Sequence, residues 1–215
     1  MIRVPLIGLA AVLALACSKE PELRPMTAAD HEMVAEREEQ AALAHEQAAG
    51  PRASYQATTE SDQEQAKRHR ELAARHRARA RELRAAEAQA CAGILEEDRG
   101  LDPFGQREDI TSVSTIEESP PPAMEIPDES RTAGARIVMR ARPAMTREWL
   151  QRNVDCYMAR AKSGPLTPEM VTSPLALDDI EATVESTGDG FAVNVTSEDN
   201  RVVKEIIRRA EALER

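Results

Sequence analysis

The chain has very few aromatic residues. Only 2% of its 215 residues are Phe, Trp or Tyr, and much of its 41% hydrophobic content is alanine. Because aromatic side chains supply much of the buried area of a folded core, a large core is not expected over most of the length. Phe104, Trp149, Tyr157 and Phe191 all lie beyond residue 100. We therefore expect the folded core there.

The chain also lacks a basic net charge and any familiar catalytic pattern. Its net charge is -10 and its pI is near 5.1, which argues against a nucleic-acid partner. No Ser-His-Asp, Cys-His or metal-hydrolase spacing occurs, and all four histidines lie between His31 and His76. We expect neither an enzyme nor a cofactor.

No apolar run is long enough to cross a bilayer, which takes about 20 residues. Residues 1–16 contain Arg3 and a short apolar stretch, which predicts a secretory signal peptide. The segment ending at Cys17, Leu-Ala-Leu-Ala-Cys, resembles the lipobox of bacterial lipoproteins, although Ala14 stands where leucine is commonest. The resemblance implies cleavage after Ala16, a lipid on the Cys17 sulfur and acylation, such as palmitoylation, of the new amino terminus.

Two or more acyl chains anchor a protein stably in a membrane. The chain is therefore expected in the bacterial cell envelope, lipid-anchored and facing the periplasm. Ser18 after Cys17 favours the outer membrane. The alternative is an ordinary secretory signal that happens to contain a cysteine.

Cysteine is scarce as well. Once Cys17 is assigned to lipid, Cys91 and Cys156 remain. An exported, oxidising compartment favours a disulfide between them, with two free buried thiols as the alternative.

Residues 17–26 form a lipidated tether and residues 27–93 an antiparallel helical hairpin. Thr27 and Asp30 form a capping box that opens a helix over 28–49, closed by Gly50-Pro51. A second box at 61–64 opens a helix that runs to Ala92. The seam residues of this second helix recur at spacings of three and four, interrupted by Glu87: His69, Ala73, His76, Ala80, Leu83, Ala90 and Ile94. Alanine buries little area, so this stalk-like hairpin is marginal alone.

Residues 94–133 read as a turn-rich linker with one strand at 109–117, in which Ile110, Ser112, Ser114 and Ile116 share a face. Residues 134–215 have the order strand, helix, strand, strand, helix. This is the split βαβ order of the ferredoxin-like fold without its last strand, whose edge the 109–117 strand could supply. The predicted fold is α+β: a long antiparallel helical hairpin followed by a small ferredoxin-like sandwich.

His69 and His76 are the candidate metal ligands, but seven residues place them about 10 Å apart along a helix. They cannot chelate one ion alone. Folding the hairpin about Tyr55 puts His45 near Gln65 and His31 near Arg79. Solvated helix histidines are the favoured interpretation, and no metal is assigned.

The ferredoxin-like order also resembles heavy-metal-associated domains, whose Cys-x-x-Cys loop is here Arg142-Pro143-Ala144-Met145. Without cysteine that metal site does not carry over. Met124, Met139, Met158 and Met170 could serve copper, but core packing is the favoured role.

A basic face on the second helix carries Arg75, Arg77, Arg79 and Arg81. It could bind anionic lipid headgroups or an acidic glycan. Pairing with the acidic first helix is the favoured alternative.

Residues 69–215 resemble uncharacterised bacterial envelope lipoproteins. The shared stretches are Cys91-Ala92-Gly93-Ile94, Pro103-Phe104, Asp155-Cys156 and Ser186 to Phe191. Such relatives often have histidine at the position of Tyr157 and cysteine at that of Ser173, and they imply no activity.

The predicted function is a membrane-anchored periplasmic lipoprotein that acts as a binding or scaffolding module. Its expected partners are the membrane, through the lipid anchor, and an envelope protein. The alternative function is periplasmic handling of copper or zinc.

Overall fold

A computed structural model describes residues 26–49, 56–118 and 131–214 of the chain. The predicted signal peptide, Cys17, the tether up to residue 25, the Gly50-Pro51 stop and residues 119–130 lie outside them. The described residues form helices and one four-stranded antiparallel sheet, which confirms the predicted α+β class.

Helix α1 (Ala28–Ala48) begins and ends close to its predicted limits. The Thr27 hydroxyl accepts a hydrogen bond from the Asp30 backbone N–H at 3.1 Å, and the Asp30 carboxylate accepts one from the Thr27 N–H at 2.9 Å. The predicted capping box is therefore confirmed.

Helix α2 (Gln56–Ala90) begins five residues before the predicted box at Ser61. That prediction was wrong, because residues 56–60 are already helical and leave no free helix end at Ser61. The helix stops two residues before the predicted Ala92, and Gly93 then adopts a left-handed φ of 80°. Its 35 residues span about 52 Å.

The sheet contains β1 (Ile110–Glu118), β2 (Arg131–Arg140), β3 (Glu181–Ser186) and β4 (Gly190–Thr196). Its strand order is β1-β2-β4-β3, and every neighbouring pair is antiparallel. The strand predicted at 109–117 thus lies at the edge beside β2.

The predicted face of this edge strand was wrong. The pairing shifts by one residue between Ile110 and Ser112, so Ile110 lies opposite Met139 and Val113 lies opposite Ile137. Ile110 and Val113 therefore pack against the core, while Ser112 is exposed. A bulge of this kind breaks the two-residue alternation on which the prediction depended.

One face of the sheet is covered by α3 (Arg147–Ser163) and α5 (Asn200–Glu211). The core between the sheet and these two helices contains all four aromatic residues beyond residue 100, with Trp149 at its margin. A short helix, α4 (Pro168–Thr172), lies between α3 and β3. Its formation is explained by Thr167, whose hydroxyl caps it, and by Pro168, which suits a first helical turn.

Both sheet edges have backbone groups that bond to side chains from elsewhere in the chain. The Val113 N–H donates to the Glu214 carboxylate at 2.7 Å. On the other edge, Gln151 of α3 accepts from the Val184 N–H at 2.7 Å and donates to the Ala182 carbonyl at 3.1 Å. Occupied edges are poor templates for pairing with another chain.

The helix pair α1–α2 joins the sheet domain where α2 ends. Cys91 and Cys156 form the predicted disulfide, and both are buried. One turn earlier on α2, the Glu87 carboxylate accepts a hydrogen bond from the Ser163 hydroxyl and lies 3.7 Å from the Arg160 guanidinium. The end of α2 is thus held against α3 by covalent and polar contacts.

Glycine is required at two positions in the sheet: a Cβ added to Gly190 on β4 would overlap the Met139 carbonyl oxygen, and Gly134 on β2 is equally confined. A Cβ added to Gly134 would overlap the Val195 carbonyl oxygen of the paired strand, whereas one added to Gly188 would meet no atom within 4 Å.

We expect Gly134→Ala to lower the free energy of unfolding by about 2–4 kcal/mol, because the backbone must move to admit the methyl group. The matched control Gly188→Ala should change it by less than about 0.5 kcal/mol. Urea unfolding followed by circular dichroism measures both, and equal stability of the two variants would contradict the expected overlap.

Candidate functional site

The helix pair meets along a seam that repeats every seven residues. Three alanines of α1 and three of α2 are at most 2% exposed there: Ala28, Ala35, Ala42, Ala66, Ala73 and Ala80. Side chains this small let two helices approach closely while burying little apolar area.

Between the alanines lie three polar contacts that cross the seam. The His31 and His76 Nδ1 atoms are 2.8 Å apart, the Glu38 carboxylate is 2.6 Å from His69 Nδ1, and the Asp62 carboxylate is 3.3 Å from His45 Nδ1. Each α1 member stands three residues after a buried alanine, so the same face of α1 supplies both kinds of contact. Successive polar contacts lie about 10 Å apart along the helices.

The observed register differs from the predicted one. His31 contacts His76 rather than the neighbourhood of Arg79, and His45 contacts Asp62 rather than Gln65. Both contacts are displaced by three residues along α2. This shift creates direct histidine contacts that the predicted register lacked.

His31 and His76 face one another ring to ring. Their ring centroids are 5.1 Å apart, and their Nδ1 atoms are within hydrogen-bond distance. One Nδ1 atom must therefore donate a proton and the other accept it. The pKa of His31 is lowered, first by its burial, then by His76 and by the nearby Arg79 guanidinium, while Asp30 acts in the opposite direction. The space between the two Nδ1 atoms accommodates one bridging proton, and a second proton would place two N–H groups against each other.

The other two polar contacts join into a row. The His45 and His69 rings stack nearly parallel at a centroid distance of 5.4 Å, with Asp62 at one end and Glu38 at the other. No set of three or more His, Cys, Asp or Glu side chains in the described ranges is arranged to hold a metal ion. The two metal candidates, His69 and His76, belong to separate contacts and share no ligand.

The predicted basic face is divided between paired and unpaired arginines. Arg77 pairs with Glu39 of α1 at 3.1 Å, and Arg79 pairs with Glu82 on its own helix at 3.2 Å. Arg75 and Arg81 are exposed and form no ion pair with residues that the structure describes. Further pairs between the helices, Arg84–Glu32 and Arg70–Glu46, agree with the pairing alternative.

Three of the methionines considered as copper ligands lie in or against the core of the sheet domain. Met139 and Met170 are buried in the core, and Met158 packs against it. Met124 lies outside the described residues.

Tyr157 and Ser173 adjoin each other in the core. The Tyr157 hydroxyl is buried without a well-formed hydrogen bond in the described part of the chain, and its pKa is raised, chiefly by burial and next by the Asp102 carboxylate.

Sequence reasoning placed seven residues at the seam of α2: His69, Ala73, His76, Ala80, Leu83, Ala90 and Ile94. The first five face α1 or lie buried beside it, whereas Ala90 is the half-buried last residue of α2 and Ile94 lies beyond the helix, buried with Cys91 and Cys156. It missed the partners on α1, Glu38 among them, and Asp62 on α2. A signal was available: His31, Glu38 and His45 are spaced by seven, as are Asp62, His69 and His76.

No helix in the described ranges is long and apolar enough to cross a membrane. Comparison of the chain with family models, with curated proteins and with solved structures gives no match. The site is therefore interpreted from its own geometry.

The His31–His76 contact predicts an acid-sensitive helix pair. Because the folded pKa of His31 lies below the unfolded value of about 6.5, the folded state binds fewer protons than the unfolded chain near that pH. This contribution to stability is complete above about pH 6.5 and is lost as the pH falls through that value. Between about pH 8 and about pH 5.5, the melting temperature of the wild type should fall by about 3 °C more than that of His31→Gln.

Thermal unfolding followed by circular dichroism at both pH values measures this difference. The matched control is His45→Gln, a substitution of an α1 histidine on the same seam that leaves the His31–His76 contact intact, so its acid-induced drop should exceed that of His31→Gln. Identical pH dependence in wild type and His31→Gln would show that the contact does not resist protonation.

Proposed function

We propose that the chain is a lipoprotein of the bacterial cell envelope, anchored by lipid on Cys17 in the outer membrane and facing the periplasm. We propose that it acts there, without enzymatic activity, as a binding or scaffolding module with an envelope protein as partner. In finer structural terms, the proposal is an antiparallel helical hairpin followed by a ferredoxin-like domain.

The connections of the sheet support that finer description. Strand β2, helix α3, strands β3 and β4 and helix α5 follow the split βαβ order, and β1 lies beside β2. In a ferredoxin-like sheet that edge belongs to the last strand. Here the strand at that edge precedes the others in the chain.

The observation that carries the functional proposal is the direction of the helix pair. Ala28, at the start of α1, packs with Ala80 and Leu83 near the end of α2, and α2 is bonded to α3 a few residues later. The start of α1 therefore lies beside the sheet domain. Residues 17–26 can extend at most about 35 Å, so a lipid on Cys17 would hold this same end close to the membrane.

Such a molecule would have its sheet domain near the bilayer and its helix pair directed away from it. The pair is then a projecting arm, not a spacer between anchor and domain. Charged residues cover the outside of the arm, and the disulfide holds its base. These are the properties of a module that presents a surface at a set distance from a membrane.

Cell fractionation tests the anchor. We expect the wild-type chain in the outer-membrane fraction and Cys17→Ser in the soluble periplasm, because loss of the thiol removes the lipid attachment. Ser18→Asp is the matched control and should remain membrane-bound while moving to the inner membrane. A wild-type chain found soluble, with an intact mass that includes no lipid, would overturn the proposal.

The binding role is tested on the same membranes by photo-cross-linking. A cross-linker at Arg75 or Arg81, both exposed on the arm, should give a discrete adduct with an envelope component. Absence of an adduct from both positions would remove the arm as the binding surface.

The His31–His76 contact favours metal handling as a second candidate function. Two imidazole nitrogens directed at one another are suitable ligands for copper or zinc, since either ion can replace the bridging proton. Metal–nitrogen bonds of about 2.0 Å would require the two rings to move apart by about 1 Å. Any remaining coordination positions would be filled from solvent.

Metal analysis of the purified full chain tests this second candidate. We expect one copper ion per chain after incubation and gel filtration, lost in both His31→Ala and His76→Ala because each removes half of the ligand pair. His45→Ala is the matched control on the same seam and should retain the ion. Substoichiometric metal in the wild type, or equal loss in all three variants, would exclude the site.

A further inference from the structure

A pocket of about 240 Å³ lies in the sheet domain, away from the histidine seam. It is formed where β2 ends and α3 begins, and the loop at residues 101–106 closes it on one side. We call it the Trp149 pocket. Its apolar surface comes from Leu101, Pro103, Trp149 and Leu150.

The turn that builds this pocket is strained. Arg142, Pro143, Ala144 and Met145 form a tight turn in which the Met145 N–H donates to the Arg142 carbonyl at 3.0 Å. Ala144 has a φ of 65°, a left-handed conformation that costs a residue with a Cβ on the order of 1 kcal/mol. Glycine would avoid this cost. The strain persists where the turn places Arg142 on one wall of the pocket.

The opposite wall is held in place by the first turns of α3. The Thr146 hydroxyl accepts a hydrogen bond from the Trp149 N–H at 3.1 Å, and the Asn153 amide donates to the Trp149 carbonyl at 2.9 Å. Asn153 is only 6% exposed, yet its side chain lines the pocket. The backbone of Trp149 is therefore held at both its N–H and its carbonyl group, and its side chain is half-buried.

The polar groups of the pocket retain unused hydrogen-bonding capacity. Arg142 Nε lies 3.2 Å from an Asp109 carboxylate oxygen, but it makes no well-formed hydrogen bond within the described residues. Asn153 is engaged through its amide nitrogen and has no hydrogen bond to its carbonyl oxygen in the same ranges. Asp102 accepts from the Phe104 N–H at 3.0 Å through one oxygen. A donor and two acceptors thus line one apolar space.

The charges of the pocket indicate the kind of ligand. Its lining contains one cation, Arg142, and one anion, Asp102, so it has no net charge to attract an ionic ligand. Burial raises the pKa of Asp102. A neutral group that both donates and accepts, as an amide does, matches the lining, and an apolar side chain matches Trp149 and Leu101.

We propose that the Trp149 pocket binds a partner polypeptide by taking one apolar side chain against the indole and the neighbouring backbone amide between Arg142, Asn153 and Asp102. This proposal rests on the binding role proposed above and assigns it a recognition site. It does not require the lipid anchor.

The single tryptophan of the chain makes the test direct, because its fluorescence reports on this pocket alone. The full chain in detergent micelles is titrated with N-acetylphenylalaninamide, a neutral amide with an apolar ring. We expect a saturable change in Trp149 emission with a Kd of about 1 mM, as befits a ligand of this size.

Two rim variants give matched controls. Leu101 lines the pocket and is 53% exposed, whereas Leu95 is 63% exposed and lies outside it. Leu101→Glu should weaken binding at least fivefold by placing a charge at the entrance, and Leu95→Glu should leave it unchanged. No saturable change, or an equal response in Leu101→Glu and Leu95→Glu, would overturn the site.

Charged analogues test the ligand class. N-acetylphenylalanine carries a carboxylate and phenethylamine carries an ammonium, and each should bind at least fivefold more weakly than the neutral amide. Equal or tighter binding of either analogue would overturn the peptide assignment. Failure of the fractionation experiment would leave this titration unaffected, so the two proposals fail separately.

Discussion

The contact between the end of α2 and helix α3 determines the arrangement of the whole molecule. The Cys91–Cys156 disulfide joins residues 65 apart in sequence. In a chain-entropy description, closing a loop of that length stabilises the fold by about 4 kcal/mol. The paired alanines of α1 and α2 bury too little apolar area to supply such a term themselves. Glu87, bonded to Ser163 and near Arg160, holds the same junction through charge.

Once that junction is fixed, the polar seam fixes how α1 lies on α2. Alanine layers alone would tolerate sliding, because one small side chain resembles the next. Each polar contact instead has one suitable partner, since Glu38 meets His69 and His45 meets Asp62 at a single register. Polar groups at an interface add little net stability but do specify register. The seam therefore sets the position of α1, and with it the place at which α1 begins beside the sheet domain.

Much of this arrangement was predictable from sequence, and the errors have physical causes. The α1 cap, the β-strand order around β2 and the disulfide follow from local residue chemistry or from the export context that we propose. The Ser61 box was misread because a capping pattern inside a helix looks the same as one at its start. The bulge in β1 depends on pairing with β2, which a single strand does not reveal. The histidine contacts depend on a register three residues away from the predicted one; the seven-residue spacing of the polar residues was the signal for it, and the prediction did not use it.

Two departures from local packing and backbone rules lie at the candidate sites. His31 faces His76 at a seam where alanine or leucine would pack without sharing a proton. Ala144 adopts a left-handed backbone conformation in which glycine would be unstrained. Other surfaces pair charges in the ordinary way: Arg136 pairs with Glu185 on the open sheet face, and arginines of α2 pair with acids of α1. Departures of this kind cost stability and persist where they serve a role other than folding. The chain thus has a scaffold built from alanine layers, edge contacts and one disulfide. The two departures from that scaffold are the His31–His76 contact and the turn at Ala144.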